Sequence, residues 1–199
     1  GELVETLGVG PCAVLGNSMG GYLTMRLALE RPELMTRLVS VHCPGVPLLR
    51  LHALKAALRV PGAPALLDWL VRRDPRAWAH RNVHYWDESL KSLEEAAEYG
   101  APLATAEGRM AFTRHLADTL DPDKMRDFVR DLERRPSFPV PLMLLFVRRD
   151  PMVPPAVGER LHALIPGAEM VWLEGASHFC HVDAPDRVVE AVLPFLLRG

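Results

Sequence analysis

The stretch Gly16–Gly21, which reads Gly-Asn-Ser-Met-Gly-Gly, decides how the rest of this sequence is interpreted. The apolar run Cys12–Leu15 comes before it and is typical of a buried strand. The segment Gly21–Glu30 comes after it, has apolar residues at helical spacing, and is followed by an Arg-Pro pair that ends a helix. Because a strand-to-helix turn around Ser18 is crowded, the positions two before and two after it are expected to be very small, and both are glycine.

A turn of this kind can make a serine reactive. A serine hydroxyl is a poor nucleophile by itself because it keeps its proton at neutral pH. In a tight strand-to-helix turn a histidine can reach the hydroxyl, and N–H groups at the helix start can face a developing oxyanion. The alternative is a glycine-rich turn with an incidental serine. The segment Arg37–His42 is predicted as the next strand and completes a strand–turn–helix–strand order, which favours a nucleophilic Ser18.

Composition limits the class of protein. The chain has 199 residues, of which 49% are hydrophobic, so one compact domain with a substantial core is expected. A net charge of −2, with basic residues scattered among acidic ones, argues against a nucleic-acid surface. No apolar run approaches the roughly 20 residues that span a bilayer. The three cysteines show no Cys-x-x-Cys spacing, which favours a reducing compartment, and we predict a cytoplasmic location.

Residues 1–45 and 138–199 alternate between apolar strands and helices. The predicted strands in the second segment are Leu142–Val147 and Ala168–Leu173, and the predicted helices are Pro155–Ile165 and Pro185–Leu197. Short apolar strands that alternate with helices indicate a mostly parallel sheet covered on both faces. We therefore predict an α/β fold whose core is formed by these two segments.

The middle segment, residues 46–137, has a different character and contains no convincing strand. Such a helical insertion between two strands is typical of a lid that shapes a substrate pocket and excludes water. The alternative is a helical subdomain that only stabilises the sheet. Five helices, separated by prolines, are predicted here: Leu48–Arg59, Ala63–Arg72, Glu88–Tyr99, Glu107–Leu120 and Asp123–Arg134.

A nucleophilic serine needs a base, and His178 is the best-placed histidine. It follows the predicted strand Ala168–Leu173 in a short loop, at the carboxyl edge where parallel sheets place their chemistry. His181 is the nearest rival, and His42 ends a strand near the same edge and could line the pocket. The remaining histidines are predicted to be surface or packing residues: His52, His80, His84, His115 and His162.

The base in turn needs an acid to orient it, and Asp150 is the candidate. It comes just after the predicted strand Leu142–Val147, again at a carboxyl end. The preceding strand ends in His-Cys-Pro and offers no carboxylate. Glu174 and Asp183 are other local acids, but both are too near His178 in sequence to approach its ring easily.

The order serine, acid, histidine, each after a strand, is the order found in α/β-hydrolases. Three segments resemble that superfamily: the turn at 16–21, RRDPMVPP at 148–155 and EGASHFCHVDAP at 174–185. The resemblance covers nearly the whole chain apart from the helical insertion. It implies that Ser18 is the nucleophile, Asp150 the acid and His178 the general base, with the Met19 N–H as an oxyanion-hole donor. It also implies that no metal or organic cofactor is needed.

A metal site is an alternative use of the residues around His178. His178, Cys180 and His181 are close in sequence, but a second pair of ligands is lacking.

The resemblance also indicates what the sequence lacks. Members of the superfamily usually have several strands before the one that leads into the serine turn, and a second oxyanion donor comes from a loop after one of them. Only eleven residues precede Cys12, and Glu2–Leu7 is predicted to be the end of a helix. We therefore expect this sequence to correspond to the C-terminal two-thirds of a hydrolase. An inactive, truncated fragment is the alternative.

Within the superfamily that the chain resembles, we predict a small-molecule ester as the substrate. An apolar acyl group is favoured because the insertion is rich in Leu, Trp and Ala and contains Trp69, Trp78 and Trp86. The resemblance leaves an alternative, the carbon–carbon bond hydrolases of meta-cleavage products. Those enzymes usually have tryptophan after the histidine, where this chain has Phe179, and glycine at the start of the acid segment, where it has Val-Arg-Arg. A serine at position 18 argues against haloalkane dehalogenases and epoxide hydrolases, which use a carboxylate. We expect no nucleic-acid partner and no membrane span.

Overall fold

The computed structural model describes residues 1–198, which divide into two compact units. The first unit contains residues 1–46 and the residues from 127 onward, and the second contains residues 47–126. Within the described range, none of the helices combines the length and the apolar character that crossing a membrane requires.

The first unit is built on a four-stranded sheet in the order β1-β2-β3-β4, in which all neighbouring strands are parallel. The strands are Cys12–Asn17 (β1), Met35–Val41 (β2), Leu142–Val147 (β3) and Glu169–Leu173 (β4). All four lie where the apolar runs predicted them. At their carboxyl ends Asn17 pairs with Val41 and Val147 pairs with Leu173, so the loops that follow the strands meet at one edge.

Helices cover both faces of this sheet. The helices that contact the sheet are Met19–Glu30 (α2), Pro155–Leu164 (α9) and Pro185–Leu196 (α11), and the unit also contains Glu2–Leu7 (α1), Cys180–Asp183 (α10) and a short 3-10 turn at Pro32–Leu34. The Arg-Pro pair after α2 is the signal that predicted the end of that helix, and α9 and α11 both begin with a proline, which is favoured in the first helical turn.

The two faces of β3 bury different sets of side chains, and all six of its residues are buried. On one face, Met143, Leu145 and Val147 belong to a cluster that includes Val188 and Phe195 of α11. On the other face, Phe146 lies against Gly158 of α9, where an added Cβ would come within 2.8 Å of the ring. This double burial explains why β3 reads as a continuous apolar run without alternation.

The second unit is helical, and the part of the chain described between residues 47 and 126 contains no strand, as predicted. The helices are Leu49–Leu58 (α3), Ala63–Arg73 (α4), Pro75–Asn82 (α5), Leu93–Ala104 (α6), Ala106–Asp118 (α7) and Pro122–Glu133 (α8), with a 3-10 turn at Glu88–Leu90. The last part of α8, from residue 127, counts with the first unit, where Phe128 packs edge-to-face on Tyr22 with ring centroids 5.3 Å apart.

Two predictions for this segment were wrong. Helix α5 was missed because it is short and mostly polar, although Asp74 caps it by accepting a hydrogen bond from the Ala77 N–H at 2.8 Å. Pro102 was predicted to separate two helices, but it lies in the last turn of α6. That helix begins at Leu93, later than the predicted Glu88, with Ser92 as its cap, and it ends at Ala104 before Thr105, which caps α7.

A buried arginine stabilises the helical unit internally. Arg109 on α7 donates to the Asp68 carboxylate at 2.6 Å and to the carbonyls of Leu103 and Ala104 at 3.2 and 2.9 Å. Its side chain is 8% exposed and that of Asp68 is 40% exposed, so the pair joins α4 and α7 with one partner partly in water. The carbonyls lie at the end of α6, where a cation also complements the helix dipole.

Candidate active site

Ser18 lies in the turn between β1 and α2 with φ 53° and ψ −118°. A positive φ is unusual for a residue with a side chain and costs on the order of 1–3 kcal/mol, so the surrounding structure must enforce it. The turn is tied to the sheet, because the Ser18 N–H donates to the Val41 carbonyl at 2.7 Å. The backbone here has the strained strand-to-helix geometry that the sequence predicts.

The glycines around Ser18 do not all have the predicted role. An added Cβ at Gly16 would lie 2.5 Å from the Gly20 backbone, and one at Gly21 would lie 2.7 Å from the Ser40 hydroxyl. Both positions therefore exclude a side chain. At Gly20 an added Cβ would meet no atom within 4 Å among the residues described, so the prediction that crowding requires a small residue there is wrong. The close approach is between Gly16 and the Gly20 backbone, and it leaves the Gly20 Cα facing open space.

Asp150 lies in the turn after β3, where its carboxylate has partners on both oxygens. Oδ1 accepts hydrogen bonds from the N–H groups of Met152 and Val153 at 2.7 and 2.8 Å. Oδ2 lies 2.7 Å from His178 Nδ1. Burial alone would raise the pKa of Asp150, but the hydrogen bond and charge of His178, the Val153 N–H and the nearby His42 together lower it. Asp150 is therefore ionised at neutral pH.

His178 lies in the loop after β4 and is 2% exposed. Because the ionised Asp150 can only accept hydrogen bonds, His178 Nδ1 must be the donor across the 2.7 Å contact. A neutral ring then carries its lone pair on Nε2, which is the form that can take a proton. Asp183, the other local acid, helps to hold this loop by accepting a hydrogen bond from the Ser177 N–H at 2.7 Å. This contact is with the backbone of the loop.

His181 differs from His178 in its surroundings. It is exposed on α10, and its ring lies 6.1 Å from that of Phe179. Partial burial and the neighbouring His178 lower the pKa of His181, and Asp183 opposes that shift. The acid–histidine hydrogen bond is thus made by His178, whereas His181 lies in the next helix.

His42 is closer to the acid than the sequence indicated. It follows β2 with φ 49°, it is fully buried, and its Nδ1 lies 3.4 Å from Asp150 Oδ2. Its ring is tilted by 31° against that of His178, with centroids 5.2 Å apart. The sheet order explains this proximity, because β2 is hydrogen-bonded to both β1 and β3. A histidine at the end of a predicted strand was the available signal, but the strand order was not readable.

These same residues are the one group of possible metal ligands found within residues 1–198. The ligand atoms of His42, Asp150 and His178 lie within 4.8 Å of one another. The 2.7 Å contact between His178 and Asp150 is a direct hydrogen bond. An ion between those two atoms would separate them further, since metal–ligand bonds are about 2.0–2.2 Å each. In this arrangement the three side chains fit a hydrogen-bonded network better than a metal centre.

The alternative metal cluster of His178, Cys180 and His181 fits no better. Cys180 is buried, and burial together with Asp183 raises the pKa of its thiol to about 12. His178, Cys180 and His181 are also not found as a group of possible metal ligands within residues 1–198.

Met19, the residue implied as an oxyanion donor, is the first residue of α2. The N–H groups of the first helical turn have no partner within their own helix, and the helix dipole adds positive potential there. Ser18, Met19, Asp150 and His178 all follow strands of one parallel sheet at its carboxyl edge.

The chain belongs to the alpha/beta hydrolase family, whose model matches residues 1–191. The sn-1-specific diacylglycerol lipase ABHD11 of Mus musculus is 30% identical over 203 residues, which cover 98% of this chain and 62% of that protein. The chain thus spans a little less than two thirds of that relative's length. The predicted superfamily is confirmed.

Solved structures share the fold. A thermophilic esterase from Thermogutta terrifontis matches with a TM-score of 0.68 and 20% identity, over 98% of this chain and 68% of that one. The meta-cleavage product hydrolase CumD from Pseudomonas fluorescens IP01 matches with a TM-score of 0.64 and 20% identity, over 97% and 67%. At these identities the likeness concerns the fold, which is the predicted α/β-hydrolase fold.

Proposed function

We propose that this chain is a serine hydrolase that cleaves carboxylic esters with an apolar acyl group through an acyl-enzyme on Ser18. The observation that carries the proposal is the 2.7 Å hydrogen bond between Asp150 and His178 at the sheet edge that also bears Ser18. The 30% sequence identity to a diacylglycerol lipase supports an ester as the substrate class. The carbon–carbon hydrolases have the same fold, but Phe179 stands in this chain where those enzymes usually have tryptophan.

In the first step, His178 Nε2 takes the Ser18 proton as the hydroxyl oxygen attacks the acyl carbonyl. The positive φ of Ser18 supports this role, because it turns the residue out of the strand direction before the helix begins. The Met19 N–H then donates to the oxyanion of the tetrahedral intermediate. We also propose that a second N–H group donates to the oxyanion, because one N–H alone does not stabilise it sufficiently.

In the second step, protonated His178 gives its proton to the leaving alcohol, and the acyl group remains on Ser18. Water then attacks the acyl-enzyme by the same route. Asp150 stays ionised throughout, which holds Nδ1 protonated and stabilises the imidazolium. The lowered pKa of Asp150 supports this role, because a carboxyl that lost its charge near neutral pH could not perform it.

For the helical unit, residues 47–126 of the segment predicted at 46–137, we propose the role of a lid that provides apolar surface for the acyl group. Exposed apolar side chains within the helical unit support this role, since an enzyme needs such surface to bind an apolar substrate. Trp69 and Trp86 are 42% and 47% exposed, and Leu66 is 56% exposed. The alternative, a subdomain that only stabilises the sheet, gives these side chains no role.

A fluorophosphonate probe tests the nucleophile, because it reacts with activated serines and leaves a stable adduct. We expect an adduct on Ser18 by peptide mass spectrometry, its loss in Ser18→Ala, and a large decrease in His178→Ala. His181→Gln is the matched control, a second histidine in the same segment, and should label like the wild type. A folded chain that gives no adduct would contradict the proposal and would favour an inactive fragment.

The substrate class is tested with two kinds of compound. Activated esters with short and long acyl chains should be hydrolysed, with preference for the apolar longer chains. A meta-cleavage product dienoate tests the carbon–carbon alternative. Cleavage of the dienoate without any ester hydrolysis would overturn the ester proposal and leave the Ser18 nucleophile intact.

A further inference from the structure

His42 has no role in the mechanism above, yet it is fully buried beside the acid and the base. It follows β2, its N–H continues the ladder by donating to the Leu145 carbonyl at 2.9 Å, and its φ is 49°. Histidine tolerates positive φ better than most residues, but the conformation is still strained. His42 and Ser18 are the two non-glycine residues of the described chain with positive φ, and they end neighbouring strands.

The ring nitrogens of His42 lack an ordinary hydrogen bond. Neither Nδ1 nor Nε2 has a hydrogen-bond partner among the residues that the structure describes. A buried polar group without a partner is destabilising and calls for an explanation. Nδ1 faces Asp150 Oδ2 at 3.4 Å, which is longer than the 2.7 Å that separates the same oxygen from His178.

Two aromatic contacts fix the plane of the His42 ring. Phe146 on β3 meets it edge-to-face with centroids 5.8 Å apart, and His178 lies on another side at 5.2 Å. The ring therefore lies against both members of the acid–base pair. A side chain of another shape would change the space available to the His178 imidazole.

Three titratable groups act electrostatically on His42, which follows β2: Asp150 after β3, His178 after β4 and His181 on α10. Burial lowers the pKa of His42 to about 4; Asp150 opposes this shift, and His178 and His181 add to it. His42 is thus neutral at neutral pH and carries one ring proton. On Nδ1 that proton faces a carboxylate oxygen, which makes this the favoured tautomer.

We propose that His42 is a positioning residue for Asp150 and His178. Its Nδ1–H stabilises the negative charge on Asp150 Oδ2, the oxygen that His178 binds, and its ring limits the movement of the His178 imidazole. This inference rests on the proposed function of Asp150 and His178. The Asp150 carboxylate then has two backbone donors on Oδ1 and the His178 hydrogen bond on Oδ2, with His42 Nδ1 acting on Oδ2 electrostatically across 3.4 Å. His42 itself transfers no proton and touches no substrate.

Removing the His42 N–H is expected to move the pH–rate profile in one direction. An Asp150 carboxylate with fewer donors attracts the proton on His178 more strongly, so a more alkaline solution is needed to make the base available. The acidic limb of the pH–rate profile should therefore move to higher pH. A residue that only fills space would lower stability and leave the position of this limb unchanged.

Three variants separate these roles. His42→Phe keeps the ring and removes the nitrogens, His42→Gly suits the positive φ and removes both, and His42→Asn keeps a donor and tolerates the backbone conformation. The measurement is the rate of fluorophosphonate labelling of Ser18 between pH 5 and 9. For Phe and Gly we expect a rate about tenfold lower at pH 7 and an acidic limb raised by about half a unit to one unit. For Asn we expect a limb near that of the wild type.

A second readout does not depend on turnover. The low-field proton resonance of the Asp150–His178 hydrogen bond should shift and exchange faster with water in His42→Phe, and His42→Asn should restore it. An unchanged resonance and an unchanged acidic limb in both Phe and Gly variants would overturn the positioning role. An absence of Ser18 labelling in the wild type would instead overturn the proposed function, and the resonance would still decide the role of His42.

Discussion

Asp150 combines two tasks in one carboxylate, because Oδ1 closes the turn after β3 and Oδ2 binds His178. Asp150→Asn separates them. The amide oxygen can still accept the N–H groups of Met152 and Val153, which leaves the amide nitrogen facing His178. That nitrogen can only donate, so Nδ1 must accept and the proton moves to Nε2, which then cannot act as the base.

We therefore predict that Asp150→Asn folds normally and loses activity by about 10²–10⁴-fold. Circular dichroism and thermal melting should match the wild type, and the rate of Ser18 labelling should decrease. A variant that labels within a few-fold of the wild type would show that Asp150 does not orient the base.

The buried His42 makes stability depend on pH. Its pKa is lowered to about 4 in the folded chain, whereas the pKa of a histidine in an unfolded chain is near 6.5. Between these values the unfolded state binds more protons than the folded state, so stability increases with pH. The contribution is complete above about pH 6.5 and is lost as pH falls toward 4.

We predict that the free energy of unfolding decreases by about 2 kcal/mol between pH 7 and pH 5 on account of His42. Urea titrations at the two pH values measure the change. In His42→Phe the decrease should be smaller by that amount. An equally steep decrease in this variant would assign the pH dependence to another group.

At the scale of elements, the serine turn depends on a close approach between β1 and α2. An alanine at Gly16 would bring its Cβ to 2.5 Å from the Gly20 backbone, and backbone cannot rotate away as a flexible side chain can. An alanine at Gly20 would extend into open space. The two positions form a matched pair, because the same substitution is made on either side of one serine.

We predict that Gly16→Ala decreases Ser18 labelling at least about 100-fold or prevents folding, whereas Gly20→Ala stays within about threefold of the wild type. The melting temperature should fall in the first variant and remain unchanged in the second. Equal losses in both variants would mean that the turn requires glycine for a reason other than space.

The sequence predicted the elements of the sheet well, because each of β1 to β4 is a short apolar run bounded by Pro, Gly or charged residues. It also predicted the partnership of Asp150 and His178, since both follow strands. It could not predict that His42 lies against this pair, because that contact depends on the order of the strands. Helix α5 was missed because its short, polar sequence has little apolar periodicity, although Asp74 and Pro75 marked its start.

At the scale of the whole molecule, a buried arginine holds the helices of the helical unit together. Arg109 pairs with the partly exposed Asp68 and binds two carbonyls at the end of α6. Without Arg109 these carbonyls lose their donor inside the unit. Three of the four tryptophans also lie in this unit, and the fourth, Trp172, lies on β4. A Trp172→Phe background therefore makes fluorescence a reporter of the helical unit.

In that background we predict that Arg109→Met lowers the free energy of unfolding of the helical unit by about 2 kcal/mol. The loss is smaller than for a fully buried ion pair because Asp68 is partly exposed to water. Fluorescence-detected urea unfolding measures the change. Arg114→Met, an exposed arginine on the same helix, is the control and should change the midpoint little. An equal loss in both variants would show that charge, and not the Arg109 contacts, is responsible.

The free cysteines have a consequence for how motion at the carboxyl edge can be observed. Cys43 and Cys180 follow His42 and His178 within two residues in the sequence, and burial raises the pKa of both thiols to about 12, whereas Cys12 is half-buried. An alkylating reagent should thus modify Cys12 first and reach the other two only during transient opening. The delay measures how often the carboxyl edge of the sheet opens transiently, and it is read from cysteines that the chain already contains. If Cys180 reacted as fast as Cys12, the edge would be open for much of the time.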